Sequence, residues 1–272
     1  NVKSAFPVQV KAGAAAGTLS ATEDGFLTRI VNIAAGDYFN LALDEDGTVW
    51  AWGDNTKGQL GDGTILDRTA PVKVLLPEDV KIVAVAAGSA FSLALDSKGY
   101  VWAWGQSNYD QTGYGWYNNY SPMKDLYVTV PRRVINGTAA GPDEAGDTYN
   151  YLSHVVSIEA GSDHALAIRS NGGVYTWGMD TDGQMGDGTT NIYQAQPVAV
   201  RAGENNEKGD AITIRKPNYL STAANDRDGR YQTNEFFSNA AAGAAGANHT
   251  LLLRMRQNPN DGTAETSMFA MG

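Results

Sequence analysis

The tetrapeptide Trp-Ala-Trp-Gly occurs twice, and each copy closes 17 residues after an Ala-Ala-Gly. Trp50–Gly53 follows Ala34–Gly36, and Trp102–Gly105 follows Ala86–Gly88. Tyr175-Thr176-Trp177-Gly178 stands at the same distance from Ala160-Gly161. A fourth copy, Phe269-Ala270-Met271-Gly272, comes 26 residues after Gly246, with the added length around Asn258–Gly262. Four copies of one unit constrain the fold more than any local propensity, because each must bury its apolar faces on its neighbours.

The first unit reads as four strands. Val31–Ala35 ends at Gly36. Phe39–Leu43 leads into the turn Asp44-Glu45-Asp46-Gly47, where Gly supplies the positive φ of a tight hairpin. Val49–Trp52 is stopped by Gly53, and after a polar loop comes Pro71–Val74, whose leading Pro suits an edge strand. Side chains alternate along a strand, so Trp50 and Trp52 share one face. Trp102 and Trp104, Tyr175 and Trp177, and Phe269 and Met271 repeat that pairing. The opposite face carries Val49 and Ala51, Val101 and Ala103, Val174 and Thr176, Met268 and Ala270. A one-sided sheet would show a polar face; a bulky face backed by a small one predicts sheets stacked between neighbours. The expectation is an all-β fold, a β-propeller of four-stranded antiparallel blades over residues 1–272, with Trp50, Trp52, Trp102, Trp104, Tyr175, Trp177 and Phe269 as repeat core.

These residues resemble the regulator of chromosome condensation repeat. Its pattern is matched at Ala34–Gly36, Leu41–Leu43, Asp46-Gly47, Val49–Gly53, Gly58–Gly61 and Pro71–Val74. The second copy departs at Asp110-Gln111-Thr112-Gly113, and the fourth is degraded to Ala and Gly over Ala240–Ala245. The chain opens with a fourth-type strand, Pro7–Val10, and closes on a third-type strand. The visible repeats are therefore either a complete small ring or part of a larger ring or array. The resemblance implies a seven-bladed ring as the family's usual form. Members of it activate a small GTPase on chromatin, and another relative inhibits β-lactamases through aromatic loops. The acidic chain offers no surface onto which nucleotide exchange maps.

Insertions occupy about residues 114–153 and 201–238. Long loops on a rigid scaffold carry function more often than the scaffold does. The first holds an aromatic run in which Tyr114, Trp116, Tyr117 and Tyr120 are the candidate partner-binding residues, mixed with Asn, Gly and Ser as in adaptable binding surfaces. The second carries mixed charge and reads as solvated.

Three histidines are present. His164 and His249 fill the slot held by Phe39 and Phe91, which marks it as a packing position and not a metal or base site. Asp54, Asn55 and Asp62, and Asp180, Asp182 and Asp187, sit in loops that lack the bidentate Glu of a calcium hand, so turn chemistry is expected. No nucleophile elbow, phosphate loop or catalytic constellation is visible, and no enzyme activity, cofactor or metal is expected. A net charge of −10 argues against nucleic acid as partner. No apolar run reaches the length of a membrane-spanning helix. The absence of Cys excludes disulfides and thiolate sites. The chain opens at Asn1, which reads as a mature product or an excerpt. Its few Lys and Arg and its Ala/Gly/Thr/Asn-rich loops resemble repeat arrays of prokaryotic surface proteins. The expectation is thus a non-catalytic interaction scaffold, exported or at the cell surface, with a protein partner. Self-assembly of a homo-oligomer into a surface layer or filament by strand addition, and enzyme inhibition, stand as alternatives.

Overall fold

The computed structural model describes residues 6–15, 21–23, 25–114, 127–136, 151–201, 240–257 and 264–272. Four antiparallel sheets follow one another along the chain. The first holds β1 (Ile30–Ala35), β2 (Phe39–Asp44), β3 (Val49–Gly53) and β4 (Arg68–Lys73). The second holds β5 (Ile82–Ala87), β6 (Phe91–Asp96), β7 (Val101–Gln106) and β8 (Tyr127–Arg133). The third holds β9 (Val155–Ala160), β10 (His164–Arg169), β11 (Val174–Met179) and β12 (Tyr193–Ala199). The fourth holds β13 (Ala240–Ala245), β14 (Thr250–Gln257) and β15 (Ala264–Met271). A single 3-10 turn, Gly13–Ala15, is the one helical element among the described residues. No helix there is long and apolar enough to cross a membrane.

The sheets stack face to face in chain order, as the two-faced third strand requires. Phe39, Leu41, Leu43, Val49 and Ala51 of the first sheet meet Val85, Ala94, Trp102 and Trp104 of the second. Phe91, Leu93, Leu95, Val101 and Ala103 meet Ile158, Ala165, Ala167 and Trp177 of the third. Leu166, Ile168 and Val174 meet Leu252, Phe269 and Met271 of the fourth. Each interface therefore sets the leaner face of one sheet against the bulky face of the next. Trp50, Trp102, Trp104 and Trp177 are buried. Trp52, Tyr175 and Phe269 are half-buried.

The Ala-Gly anchors let the sheets approach. A Cβ on Gly36, Gly88 or Gly161 would lie 2.5, 2.6 or 2.4 Å from the carbonyl oxygen of Gly88, Gly161 or Gly246 respectively. Only Gly fits such a spacing. The residue after each anchor bonds across the same seam: Asp37 N donates to Ser89 O at 3.2 Å, Ser89 N to Ser162 O at 3.0 Å, and Ser162 N to Ala247 O at 3.3 Å.

Three details differ from the sequence reading. Pro71 lies inside β4, at the register shift between Ala51 and Gly53, where the ladder asks for no N–H. The first insertion, expected over about 114–153, contains β8, which pairs with β7, so the added residues fall on either side of that strand. Pro7–Val10 is no strand: it forms no ladder, and its residues are exposed. The Val10 carbonyl accepts Leu27 N at 2.9 Å. Ala12 and Leu27 then pack on Ala42 and Trp50, the bulky face of the first sheet. Among the described residues the fourth sheet has three strands and does not pack on the first, so the four sheets form an open arc.

Candidate interaction surfaces

The loop that follows the third strand is rich in hydrogen bonds where it is described. In the first blade it runs over residues 54–67 and reaches across to the second. The Gln59 carbonyl accepts Trp104 Nε1 at 2.8 Å and Ser92 Oγ at 2.8 Å. The Gln111 carbonyl accepts Trp177 Nε1 at 2.8 Å in the same way. The Gln184 carbonyl accepts Thr250 Oγ1 at 3.3 Å, the counterpart of the Ser92 bond, while Met271 stands where the other blades have Trp and cannot donate. Each loop is thus clasped by the following sheet.

Inside the loops, short polar side chains satisfy the backbone. Asn55 Oδ1 accepts Leu60 N at 3.0 Å, and its Nδ2 donates to Asp62 Oδ1 at 3.1 Å. Asp62 also receives Arg68 Nε at 2.7 Å, and it sits below the usual carboxylate range; burial opposes this, and the bonds from Thr64 and Arg68 outweigh it. In the third blade Asp180 replaces Asn55. Its oxygens accept Met185 N at 3.1 Å and Asn191 N at 3.2 Å, while Asp187, at the place of Asp62, accepts Thr189 N at 2.8 Å and Gln194 Nε2 at 3.1 Å. Burial, with the Asp187 carboxylate adding to it, pushes the Asp180 carboxyl up to about 6. The carboxylates noted for their resemblance to calcium loops are therefore engaged with donors of their own turns.

His164 occupies the packing slot against Gly161, with Nε2 2.9 Å from Thr250 Oγ1, and burial pushes it down to about 4, with His249 contributing. A second pairing went unread in the sequence. Trp50 Nε1 donates to Asp44 Oδ2 at 2.9 Å, and Trp102 Nε1 to Asp96 Oδ2 at 2.9 Å. In the third blade both partners change together: Arg169 donates to Tyr175 Oη at 3.1 Å. The signal was available as Asp six residues before Trp, with Arg and Tyr replacing them as a pair.

Tyr114 is half-buried, and its hydroxyl donates to the Ala103 carbonyl. Arg132 lies 5.7 Å from its ring centroid, and burial pushes the phenol up. It anchors the start of the aromatic run to the blade. Trp116, Tyr117 and Tyr120 lie outside the described residues. The structure adds exposed apolar side chains at one recurring place, the entrance to the fourth strand. Leu66 and Ile192 keep 61% and 67% of their surface exposed, with Ile65, Tyr127 and Tyr193 beside them. All lie at the loops between third and fourth strands, on one rim.

Stacked four-stranded sheets clasped through their loops define the class: a β-propeller repeat protein. Models of the regulator of chromosome condensation (RCC1) repeat match residues 46–95 and 171–214, and residues 30–59, 82–111 and 155–184. The chain belongs to the RCC1 repeat family. It is 37% identical over 170 residues to the E3 ubiquitin-protein ligase HERC2 of Homo sapiens, covering 61% of this chain and 3% of that protein. It is 30% identical over 192 residues to protein pim1 of Schizosaccharomyces pombe, covering 65% of this chain and 32% of that one. The structure of Prp20p from Saccharomyces cerevisiae superimposes with a TM-score of 0.57 at 22% identity, over 81% of this chain and 42% of its own. That likeness shows the fold. These relatives are eukaryotic, so the prokaryotic surface setting rests on composition alone.

Proposed function

We propose that this chain is a non-catalytic interaction module that holds a protein partner on the rim built by the loops between third and fourth strands. The carrying observation is the recurrence of exposed Leu66, Tyr127, Ile192 and Tyr193 at the entrance to successive fourth strands. Single exposed apolar residues are ordinary; a row at one structural position is a contact surface. Asp54, Asp67, Asp110 and Asp182 stand in the same loops, so the partner matched to this rim combines apolar with basic side chains. Prp20p, of the same fold, has binding properties toward Gsp1p and histones. An exported or cell-surface location enters this reading on composition only.

A photocrosslinking residue at position 192 tests the rim directly, with the same residue at Val156 as control. Crosslinks from 192 to a discrete protein, absent from 156, are the expected outcome. Equal labelling from both positions removes the rim from consideration. The double change Trp116→Ala and Tyr117→Ala is expected to abolish that capture while leaving the melting temperature in place.

A further inference from the structure

The three internal seams are built alike, and the third differs from the others in chemistry. In the first two, a Phe ring fills the slot beside the anchor: a Cβ on Gly36 or Gly88 would lie 2.0 Å from Phe39 or Phe91 Cε1. At the third, His164 fills it, and a Cβ on Gly161 would lie 2.2 Å from its Cε1. In the first two seams a Trp indole holds the preceding loop, through Gln59 and Gln111. In the third, the bond to the loop comes from the Thr250 hydroxyl, which also meets His164 Nε2. His164, Thr250 and Gln184 are all fully buried.

This chain of bonds fixes where the imidazole carries its proton. The Gln184 carbonyl is an acceptor only, so Thr250 Oγ1 spends its one hydrogen on it. The oxygen must then accept from His164, which places the ring hydrogen on Nε2. Nδ1 is left as a buried acceptor without a partner. A second proton on this ring can enter only at Nδ1, where it makes a charged donor with no acceptor to receive it. Ionisable groups on the elements around His164 are Glu159 on β9, Asp163 before it in the chain, Asp180 and Asp187 in the loop after β11, His249 before β14, and Arg254 on β14. Of these, only His249 acts on its charge, and it opposes protonation. The same loop is also held by one bond fewer than its equivalents. Gln59 Nε2 donates to Asp54 and Gln111 Nε2 to Asp163, whereas Met179 stands at the place of Asp54 and Gln184 Nε2 is buried without a partner.

We propose that the seam between the third and fourth sheets is an acid-sensitive joint, in which protonation of His164 at Nδ1 releases the fourth sheet while the Phe-filled seams hold. Release frees the ring to water and takes the Thr250 hydroxyl away from the Gln184 carbonyl, so the loop over residues 180–192 loses its hold on the following sheet. Burial keeps the folded His164 down to about 4, against 6.5 when released. The seam is therefore at full strength above 6.5 and weakens as pH falls toward 4. Asp180 has its bonds within its own loop and stays outside the joint. The inference is independent of the rim: either can fail while the other stands.

Hydrogen exchange of the 272-residue chain, corrected for the intrinsic effect of pH, reads the joint directly. Between about pH 7.5 and pH 5, protection of the Leu251–Leu253 amides on β14 is expected to fall about tenfold or more, while Leu93–Leu95 on β6 keep theirs. Unchanged protection on β14 overturns the proposal, and so does an equal loss in both strands. His164→Phe, the residue of the first two seams, is expected to abolish the fall on β14; a fall as large as in the parent overturns the assignment to His164. Nitrogen NMR of the parent imidazoles needs no variant. It is expected to show His164 with its hydrogen on Nε2 and a titration midpoint well below 6.5. A hydrogen on Nδ1, or a midpoint at 6.5 or above, overturns the joint.

Discussion

The second and fourth blades share a repeat pattern and differ in how they are held. Trp102 and Trp104 are buried, and Trp104 clasps the loop of the blade before it. Phe269 and Met271 fill the same positions half-buried, and the clasp is left to the Thr250 hydroxyl. The Ala- and Gly-rich β13 is nevertheless fitted to its neighbour. A Cβ on Gly243 would lie 2.9 Å from Leu166 Cδ2, so the volume missing from β13 is supplied from the third sheet. A repeat can lose its signature and keep its fold when the adjoining sheet fills the space.

The largest test of this contrast is truncation. Trp104→Ala removes a fully buried ring and is expected to cost about 3–5 kcal/mol by denaturant unfolding, against less than about 2 kcal/mol for Phe269→Ala. Equal costs would erase the distinction between the blades. Trp104→Met copies the fourth blade into the second. It removes the donor to Gln59 along with part of the ring, and a loss of about 1–3 kcal/mol is expected.

A third comparison sets Asn55 against Asp180. The folded Asp180 carboxyl holds its proton up to about 6, above its ordinary value of 3.8. The folded state therefore binds the extra proton within that window, and stability falls as pH rises through it. Asp180→Asn restores the first blade's residue. Relative to the parent, its melting temperature is expected to rise between pH 4 and 6 and then level off. A constant difference would show that Asp180 does not titrate in that range. The smallest effect belongs to the rim: Leu66→Glu should change stability by no more than about 0.5 kcal/mol while reducing partner capture.

Sheet order and the two-faced third strands were legible because the pattern repeats at fixed distance from the Ala-Gly anchors. β2 and β3 match their sequence reading to within one residue at either end. Other features depended on partners that no local pattern reveals. Pro7–Val10 has the composition of a fourth strand but pairs with no third strand among the described residues. Pro131–Val134 was absorbed into an insertion because residues 115–126 separate it from its blade. Asp44 and Asp96 cap their turns: Asp44 Oδ1 accepts Thr48 N at 2.8 Å and Asp96 Oδ1 accepts Tyr100 N at 3.0 Å. Their second role, as acceptors for Trp50 and Trp102, depends on a cross-strand approach. The exposed Leu66 and Ile192 carry no signal until the loops are placed on one rim.

The clasp between Gln59 and Trp104 has a consequence for how such a chain can grow. The keeper belongs to one unit and the bolt to the next, so duplicating or deleting a whole repeat leaves every lock matched. A cut elsewhere in the period would orphan one half. Arrays of this kind can thus change length in whole steps, with each new junction ready-made.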